Sequence, residues 1–340
     1  MTLNELKSQL KRFRIRPDKK LGQNFLVSEQ VLDEIIAASE LRKTDQVLEI
    51  GAGLGVLTRA LAEQAGEVIA VEKDRQLARA LRQMFRNNRN VKIIQDDALF
   101  FDPADYNLQP TTYKLVANLP YYITGAILEK FLATPPSLSP SHLSALSSRP
   151  KGQGREKEGG EIHPPTKGEN GSSFNDFPPH AVGEERWGGR PSLMVLLLQK
   201  EVAERIVAKP GDMSILSVSV QLYSDPEIIS YVGKENFYPT PEVDSAIVRL
   251  RVLPEARFQT DEQKFFGLVK IGFSNKRKQL HNNLQALPPP FLPHKWGGTE
   301  GGADYKKILQ DLGLNPLARA QDLSLQDWYR LYQRLNNGRT

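Results

Sequence analysis

The 340-residue chain contains no cysteine, which excludes disulfides, thiolate metal sites and cysteine nucleophiles together. Its five histidines are scattered without ligand spacing, so no metal is expected. No apolar run is long enough to span a bilayer, and no signal-peptide pattern opens the sequence. A cytoplasmic protein without membrane attachment is therefore expected. What remains is an ordinary globular composition, 39% hydrophobic and 25% charged, long enough for one large domain or two smaller ones.

The formal net charge is +5, and its distribution says more than its size. Residues 1–23 hold Lys7, Lys11, Arg12, Arg14, Arg16, Lys19 and Lys20 against Glu5 and Asp18. A second basic knot, Lys276–Arg277–Lys278, sits in "FSNKRKQLHNNL". A basic arm with a remote basic knot is the footprint of a phosphate-backbone partner. Charge alone also allows the plainer reading, solvated surface lysines.

The first half alternates strand and helix patterns. Strands are expected at 46–51, 67–74, 91–98 and 113–120. Helices are expected at 31–39, capped by Ser28, and at 54–64, 75–86 and 125–132. Strands joined through helices imply a parallel, doubly wound sheet. Residues 134–191 break this pattern with nine of the 23 prolines and nine of the 25 glycines. Such a stretch cannot bury enough apolar surface to offset its ordering entropy, so a disordered insertion is expected. Beyond it "LMVLLLQ" (193–199) resumes as a core strand and 201–208 as a helix. "ILSVSVQLY" (215–223) alternates strictly and reads as a strand by pattern. Segments 226–232 and 245–252 read as a strand pair. After residue 255 the period turns helical, at 261–273, 276–286, 303–312 and 324–336, interrupted by a Pro/Gly-rich loop at 288–302. Three regions follow: a basic arm at 1–27, an α/β domain at 28–254, and a small helical domain at 255–340 that carries the basic knot.

"GAGLG" (51–55), between a strand and a helix, is a nucleotide-type turn in which Gly51 and Gly53 let a ligand approach the backbone. A dinucleotide site needs its third glycine one position later. Glu49, two residues before Gly51, would repel a pyrophosphate but suits a cation such as the ammonium or sulfonium of S-adenosylmethionine. Glu72 ends the second strand where an acid accepts ribose hydroxyls, and Asp97 ends the third, where it can accept from an adenine amino group. Singly, each acid also reads as a polar strand end. Gly51, Glu72, Asp97 and Asn118 nevertheless all fall at carboxyl ends of successive strands, the edge where open α/β sheets bind ligands.

"KKLGQNFL" (19–26), "LEIGAGLGVLT" (48–58), "VEKD" (71–74), "QDDAL" (95–99), "NLPYYIT" (118–124), "FYPTPEVDSAIVRL" (237–250) and "FSNKRKQLHNNL" (273–284) occur in this order. On these motifs the chain resembles the small-subunit ribosomal RNA adenine N6,N6-dimethyltransferase family over nearly its whole length, apart from 134–191 and 288–302. The resemblance implies an α/β fold, the class I S-adenosylmethionine-dependent methyltransferase sheet with an antiparallel last strand, plus a small all-α C-terminal domain. It makes 215–223 helical, against the alternation. It implies cofactor contacts from Asn24, Leu26, Gly51, Glu72, Asp97 and Asn118. It further implies dimethylation of two adjacent adenosines near the 3′ end of 16S rRNA by a monomer acting on a small-subunit precursor, as part of ribosome biogenesis.

In "NLPYYIT" the side-chain oxygen of Asn118 and the carbonyl of Leu119 are suited to accept from an adenine amino group. Pro120 fixes the turn without adding a donor. Tyr121 can stack on the flipped base, with Phe237 on its opposite face. Lys19, Lys20, Lys276, Arg277 and Lys278 are the expected RNA contacts. Two other readings stay open on sequence: a large-subunit dimethyltransferase of the macrolide-resistance type, which shares the N-L-P-Y motif, and a non-catalytic assembly factor on the same scaffold.

Overall fold

The computed structural model describes residues 2–18, 22–132, 189–287 and 304–337. The expected loop at 288–302, Lys19 and Lys20, and all but the last three residues of the expected insertion at 134–191 lie outside the described residues.

A seven-stranded sheet forms the centre. Its strands are β2 (Gln46–Ile50), β3 (Glu67–Glu72), β4 (Val91–Gln95), β5 (Lys114–Asn118), β6 (Leu193–Gln199), β7 (Ser224–Val232) and β9 (Ser245–Val252). The order across the sheet is β4-β3-β2-β5-β6-β9-β7. The first five strands run parallel, and β9 lies antiparallel between β6 and β7. The order steps outward from β2 in both directions, to β3 on one side and β5 on the other. That reversal is the switch point at which this class of sheet opens a crevice.

The strands are near-continuous apolar runs because both faces are covered. Leu48, Ile50, Leu115, Met194 and Leu196 belong to one core cluster, while Val47, Val68, Val116, Val195 and Leu197 belong to another. Helices α2 (Glu29–Ala38), α3 (Val56–Gln64), α4 (Arg75–Met84) and α5 (Thr124–Leu132) connect the early strands. Ser28 caps α2 as expected, accepting from the Val31 N–H at 3.4 Å. The helices α6 (Lys200–Ile206) and α7 (Ile215–Tyr223) follow β6. Residues 215–223 are thus helical, with Leu216, Ser217, Val218, Ser219, Val220 and Leu222 all buried. A helix buried nearly all round carries no polar face, so its alternating pattern was uninformative.

The C-terminal helices are α8 (Glu262–Phe273), α9 (Leu280–Leu284), α10 (Tyr305–Asp311) and α11 (Leu325–Asn337). Helix α9 is shorter than expected, and Lys276, Arg277 and Lys278 stand exposed in the turn before it. A capping box opens α11, with the Asp327 N–H donating to Ser324 Oγ and the Ser324 N–H to Asp327 Oδ2, both at 3.1 Å. Phe265, Leu268, Trp328 and Leu331 share one cluster with the sheet residues, so the helical region packs directly on the sheet's face.

Two elements differ from expectation. Residues 3–13 of the arm form a helix, α1 (Leu3–Phe13), closed by a Thr2–Glu5 capping box. Its Leu6 and Leu10 pack with Phe25, Leu54, Leu77 and Ala80. Within the linker between β7 and β9, β8 (Phe237–Tyr238) pairs antiparallel with β1 (Phe25–Leu26). This two-stranded ladder joins motifs more than 200 positions apart in sequence.

Gly272 tests the fit of the helical region. A Cβ there would stand 2.3 Å from the ring of Trp328, which is fully buried. The indole is rigid and cannot yield cheaply. Gly272→Ala should therefore lower stability by about 1–3 kcal/mol, read as a lower urea midpoint, although alanine is the better helix former.

Candidate active site

One cavity opens at the carboxyl edge of the parallel strands. Asn24, Leu26, Glu49, Gly51, Gly53, Glu72, Asp97, Asn118, Leu119, Pro120 and Tyr121 all line it. The sequence separates these residues by almost a hundred positions, and the sheet register collects them at strand ends.

The glycine turn is shaped by what stands close to it. Gly51 and Gly53 adopt φ +76° and +59°, a left-handed backbone that side chains rarely take. A Cβ on Gly53 would also press on the Phe25 ring at 3.1 Å. Glu72 locks this turn to the start of α4: its Oε2 accepts from the Gly53 N–H at 2.9 Å and its Oε1 from the Asp74 N–H at 2.8 Å. Burial pushes the Glu72 carboxyl up, and these two donors oppose that shift. Each oxygen keeps a second lone pair for a ligand hydroxyl.

Glu49 is the most unusual group in the cavity. It is 1% exposed, and its Oε2 has no hydrogen-bond partner. Burial pushes its carboxyl up to about 8, and the Glu72 charge adds to this. The neighbouring Thr58, through its side chain and its backbone, works in the opposite direction without overcoming the burial. A buried carboxyl with an orphaned oxygen in a cavity wall is built for a cation.

Asp97 makes a 2.8 Å ion pair with Lys73 and accepts from the Leu99 N–H at 3.0 Å. Burial works to raise its pKa, but Lys73 and Leu99 prevail and hold it below the ordinary range. The loop after β4 is also pinned from below. Lys130 of α5, buried and pushed down to about 8 by that burial, donates to the carbonyls of Ala98 and Phe101.

The Asn118 amide nitrogen donates to the Asn24 carbonyl at 3.1 Å. That bond turns the side-chain oxygen toward the remaining space as an acceptor. The Tyr121 hydroxyl is tethered to Ser245 Oγ at 3.0 Å, which limits rotation of the ring.

Phe237 is not brought to the site. Its ring is 3% exposed, packed in the core cluster with Leu26 and Val232, and it does not line the cavity. Pairing of β8 with β1 turns it inward. Tyr122, 54% exposed, lines the cavity rim instead. The residues missed from sequence are Tyr122, Lys73 and Lys130. Tyr122 and Lys73 were readable as neighbours of Asn118 and Glu72, but Lys130 had no such signal. Lys276, Arg277 and Lys278 lie away from the cavity lining. Among the described residues no group of three or more His, Cys, Asp or Glu is arranged to hold a metal ion.

The chemistry of these residues fits S-adenosylmethionine. A buried carboxyl with one unpartnered oxygen suits a positive group, a glycine turn leaves room for a ligand beside the backbone, and acids stand at the neighbouring strand ends, suited to a ribose and an adenine amino group. A family model described as ribosomal RNA adenine dimethylase matches residues 14–336. A Dehalococcoides mccartyi protein named ribosomal RNA small subunit methyltransferase A is 36% identical over 328 residues, spanning 96% of this chain and 91% of its own. In fold, the chain is similar to a dimethyladenosine transferase from Plasmodium falciparum, with TM-score 0.62, 24% identity, and coverage of 92% of this chain and 98% of the other. It is also similar in fold to the 23S rRNA methyltransferase ErmE, with TM-score 0.61, 23% identity, and coverage of 92% and 100%.

The raised Glu49 carboxyl links folding to pH. It holds its proton in the folded protein up to about pH 8 and loses it near 4.5 when unfolded. The stabilisation is fully present below pH 4.5 and is lost as pH rises through about 8. Within that window the contribution falls by roughly 1.4 kcal/mol per pH unit. Urea unfolding of the ligand-free protein at several pH values should show this slope, and Glu49→Gln should flatten it.

Proposed function

The chain belongs to the ribosomal RNA adenine dimethylase family, and we infer from its cavity how it transfers methyl groups from S-adenosylmethionine to adenines of small-subunit ribosomal RNA. The carrying observation is the oriented Asn118 amide, held by the Asn24 carbonyl at the edge of a cavity whose wall contains Glu49.

When bound, S-adenosylmethionine supplies an electrophilic methyl group on a positive sulfur. Glu49 offers the negative charge that such a cation needs in a dry wall. Glu72 accepts from the ribose hydroxyls through its free lone pairs, and Asp97 accepts from the adenine amino group of the cofactor. Asp97 is held ionised by Lys73 for this purpose.

The exocyclic nitrogen of the target adenine is a weak nucleophile because its lone pair is delocalised into the ring. Asn118 Oδ1 and the Leu119 carbonyl accept hydrogen bonds from its two N–H groups and favour a pyramidal nitrogen, which returns the lone pair for attack; the methylated nitrogen is cationic and acidic and then releases a proton to water. Pro120 keeps a competing donor out of this corner. Tyr121, anchored through Ser245, stacks on the extruded base; such stacking contributes about 1–3 kcal/mol, offsetting part of the cost of flipping it. The step depends on positioning more than on a strong base. A neutral amide also suits a second transfer. After the first, one proton is replaced by methyl, and an unpaired amide oxygen costs less than an unpaired charge.

The names of the relatives favour the small-subunit RNA over the large-subunit substrate. We place the methylation at two adjacent adenosines near the 3′ end of 16S rRNA, in a small-subunit precursor, by a monomeric cytoplasmic enzyme. Among the described residues no helix is long and apolar enough to cross a membrane. Intact Glu72, Asp97 and Asn118 in one cavity weigh against a purely non-catalytic assembly role.

Asn118→Ala should lower turnover on undermethylated small subunits by about a hundredfold or more, the scale of removing one preorganised transition-state contact. Its cofactor affinity should change only a few-fold. Turnover close to wild type would remove Asn118 from the mechanism. Label appearing only in large-subunit RNA would overturn the substrate.

A further inference from the structure

Outside the cavity, the strongest unexplained feature is a field of positive charge on α1 and α4. Helix α4 and the residues after it present Arg75, Arg79, Arg82, Arg86 and Arg89, all exposed. Within α4, Arg75, Arg79 and Arg82 are spaced four and three apart and so lie along one side of the helix, and Arg86 and Arg89 follow in the turns beyond Met84. Residues 75–95 contain no Asp or Glu. Helix α1 and its C-terminal extension add Lys7, Lys11, Arg12, Arg14 and Arg16, also exposed.

The two faces are joined. Leu6 and Leu10 of α1 share one apolar cluster with Leu77 and Ala80 of α4, so the cationic sides of both helices look outward from a common seam. Among the described residues, none of these ten side chains stands in an ion pair. The nearby acids Glu5 and Asp74 are occupied in capping their own helices. Like charges at the Arg75–Arg79 and Arg79–Arg82 spacings repel one another along the helix. A stripe of this kind is therefore a cost to the fold, and a polyanion would relieve it.

We propose that the outward faces of α1 and α4 form a docking surface for the phosphate backbone of the substrate RNA, separate from the 276–278 knot. The inference rests on the family activity described above and deepens it by locating a second contact. Asp74 lines the cavity and Arg75 follows it directly, so the stripe begins at the cavity mouth. From Arg75 to Arg82 it runs about 10 Å at helical rise, with Arg86 and Arg89 in the turns that follow. An RNA strand that delivers its adenine to Asn118 can continue along this track. Arginine suits the task because its planar fork binds phosphate oxygens in pairs. The contact carries affinity and register, while the extruded base carries the chemistry.

The test is the triple variant R79Q/R82Q/R86Q, assayed with undermethylated small subunits. Three lost phosphate contacts should reduce the slope of log affinity against log salt by about 2–3. The advantage of wild type over the variant should then shrink roughly 20- to 40-fold between 50 and 200 mM salt. KM for the subunit should rise at low salt, while cofactor affinity and kcat at saturating subunit stay at wild-type values and the urea midpoint does not fall. The control R42Q/K43Q/K92Q removes the same charge from exposed positions near the amino ends of the strands, and it should leave the slope unchanged. An unchanged slope in the first variant would overturn the proposal. So would an equal loss in the control, which would assign the effect to net charge. Loss of activity in wild type itself would instead count against the family activity.

Discussion

A carboxyl group buried in the wall of a parallel sheet, with one oxygen left unpaired, is the constraint around which this site is built. Glu49 sits on β2, shares a sheet face with Val47, and is closed off from water. The protein tolerates it by keeping it protonated up to about pH 8. In our account that tolerance ends when a cation arrives, because a carboxylate in a dry wall attracts a positive ligand far more strongly than one in water. The glycine turn then has a purpose beyond flexibility: it lets the ligand backbone-side close enough to meet the charge.

The rest of the cavity is a consequence of sheet register. Parallel strands β2, β3, β4 and β5 end at one edge, and each delivers a polar residue there or just beyond it. Glu72 uses both oxygens to hold the glycine turn against α4, so the acid proposed to bind ribose also fixes the loop proposed to bind the rest of the cofactor. Asn24 plays a comparable double part, since its carbonyl orients the Asn118 amide. Lys130 secures the loop that carries Asp97 to the helix that follows Pro120. These links tie the proposed cofactor and base sites together, which suits a reaction governed by positioning. The cationic seam between α1 and α4 begins at the same mouth, so recognition of RNA backbone and delivery of the base belong to one surface.

Much of this was legible in the sequence because strand ends are local signals. An apolar run that stops at Glu72 or Asn118 marks both the strand and the edge where its last residue stands, while Asp97 follows two residues after β4 ends at Gln95. The helix α1 was less legible, because its apolar face is only a few residues wide and its charges dominate the composition. Pairing of β1 with β8 was invisible, since two-residue strands leave no alternation and the partners are far apart in the chain. Phe237 was misplaced for that reason: its motif implied a base-stacking ring, and the unseen ladder turns it into the core. Residues 215–223 show the reverse failure, a clear period that burial on all sides made meaningless. The arginines of α4 were hidden because the near-zero charge of the remaining chain averaged them away, and only the folded surface separates them from the acids.

The most direct test of the account is the number of protons released when S-adenosylmethionine binds near pH 7, measured by calorimetry in buffers of different ionisation heat. Comparison of wild type with Glu49→Gln removes any contribution from the ligand's own amino group. The account predicts that wild type releases about one proton more than the variant, because binding ionises a carboxyl that was neutral in the free protein. Equal proton release from the two proteins, with both still binding the cofactor, would contradict it.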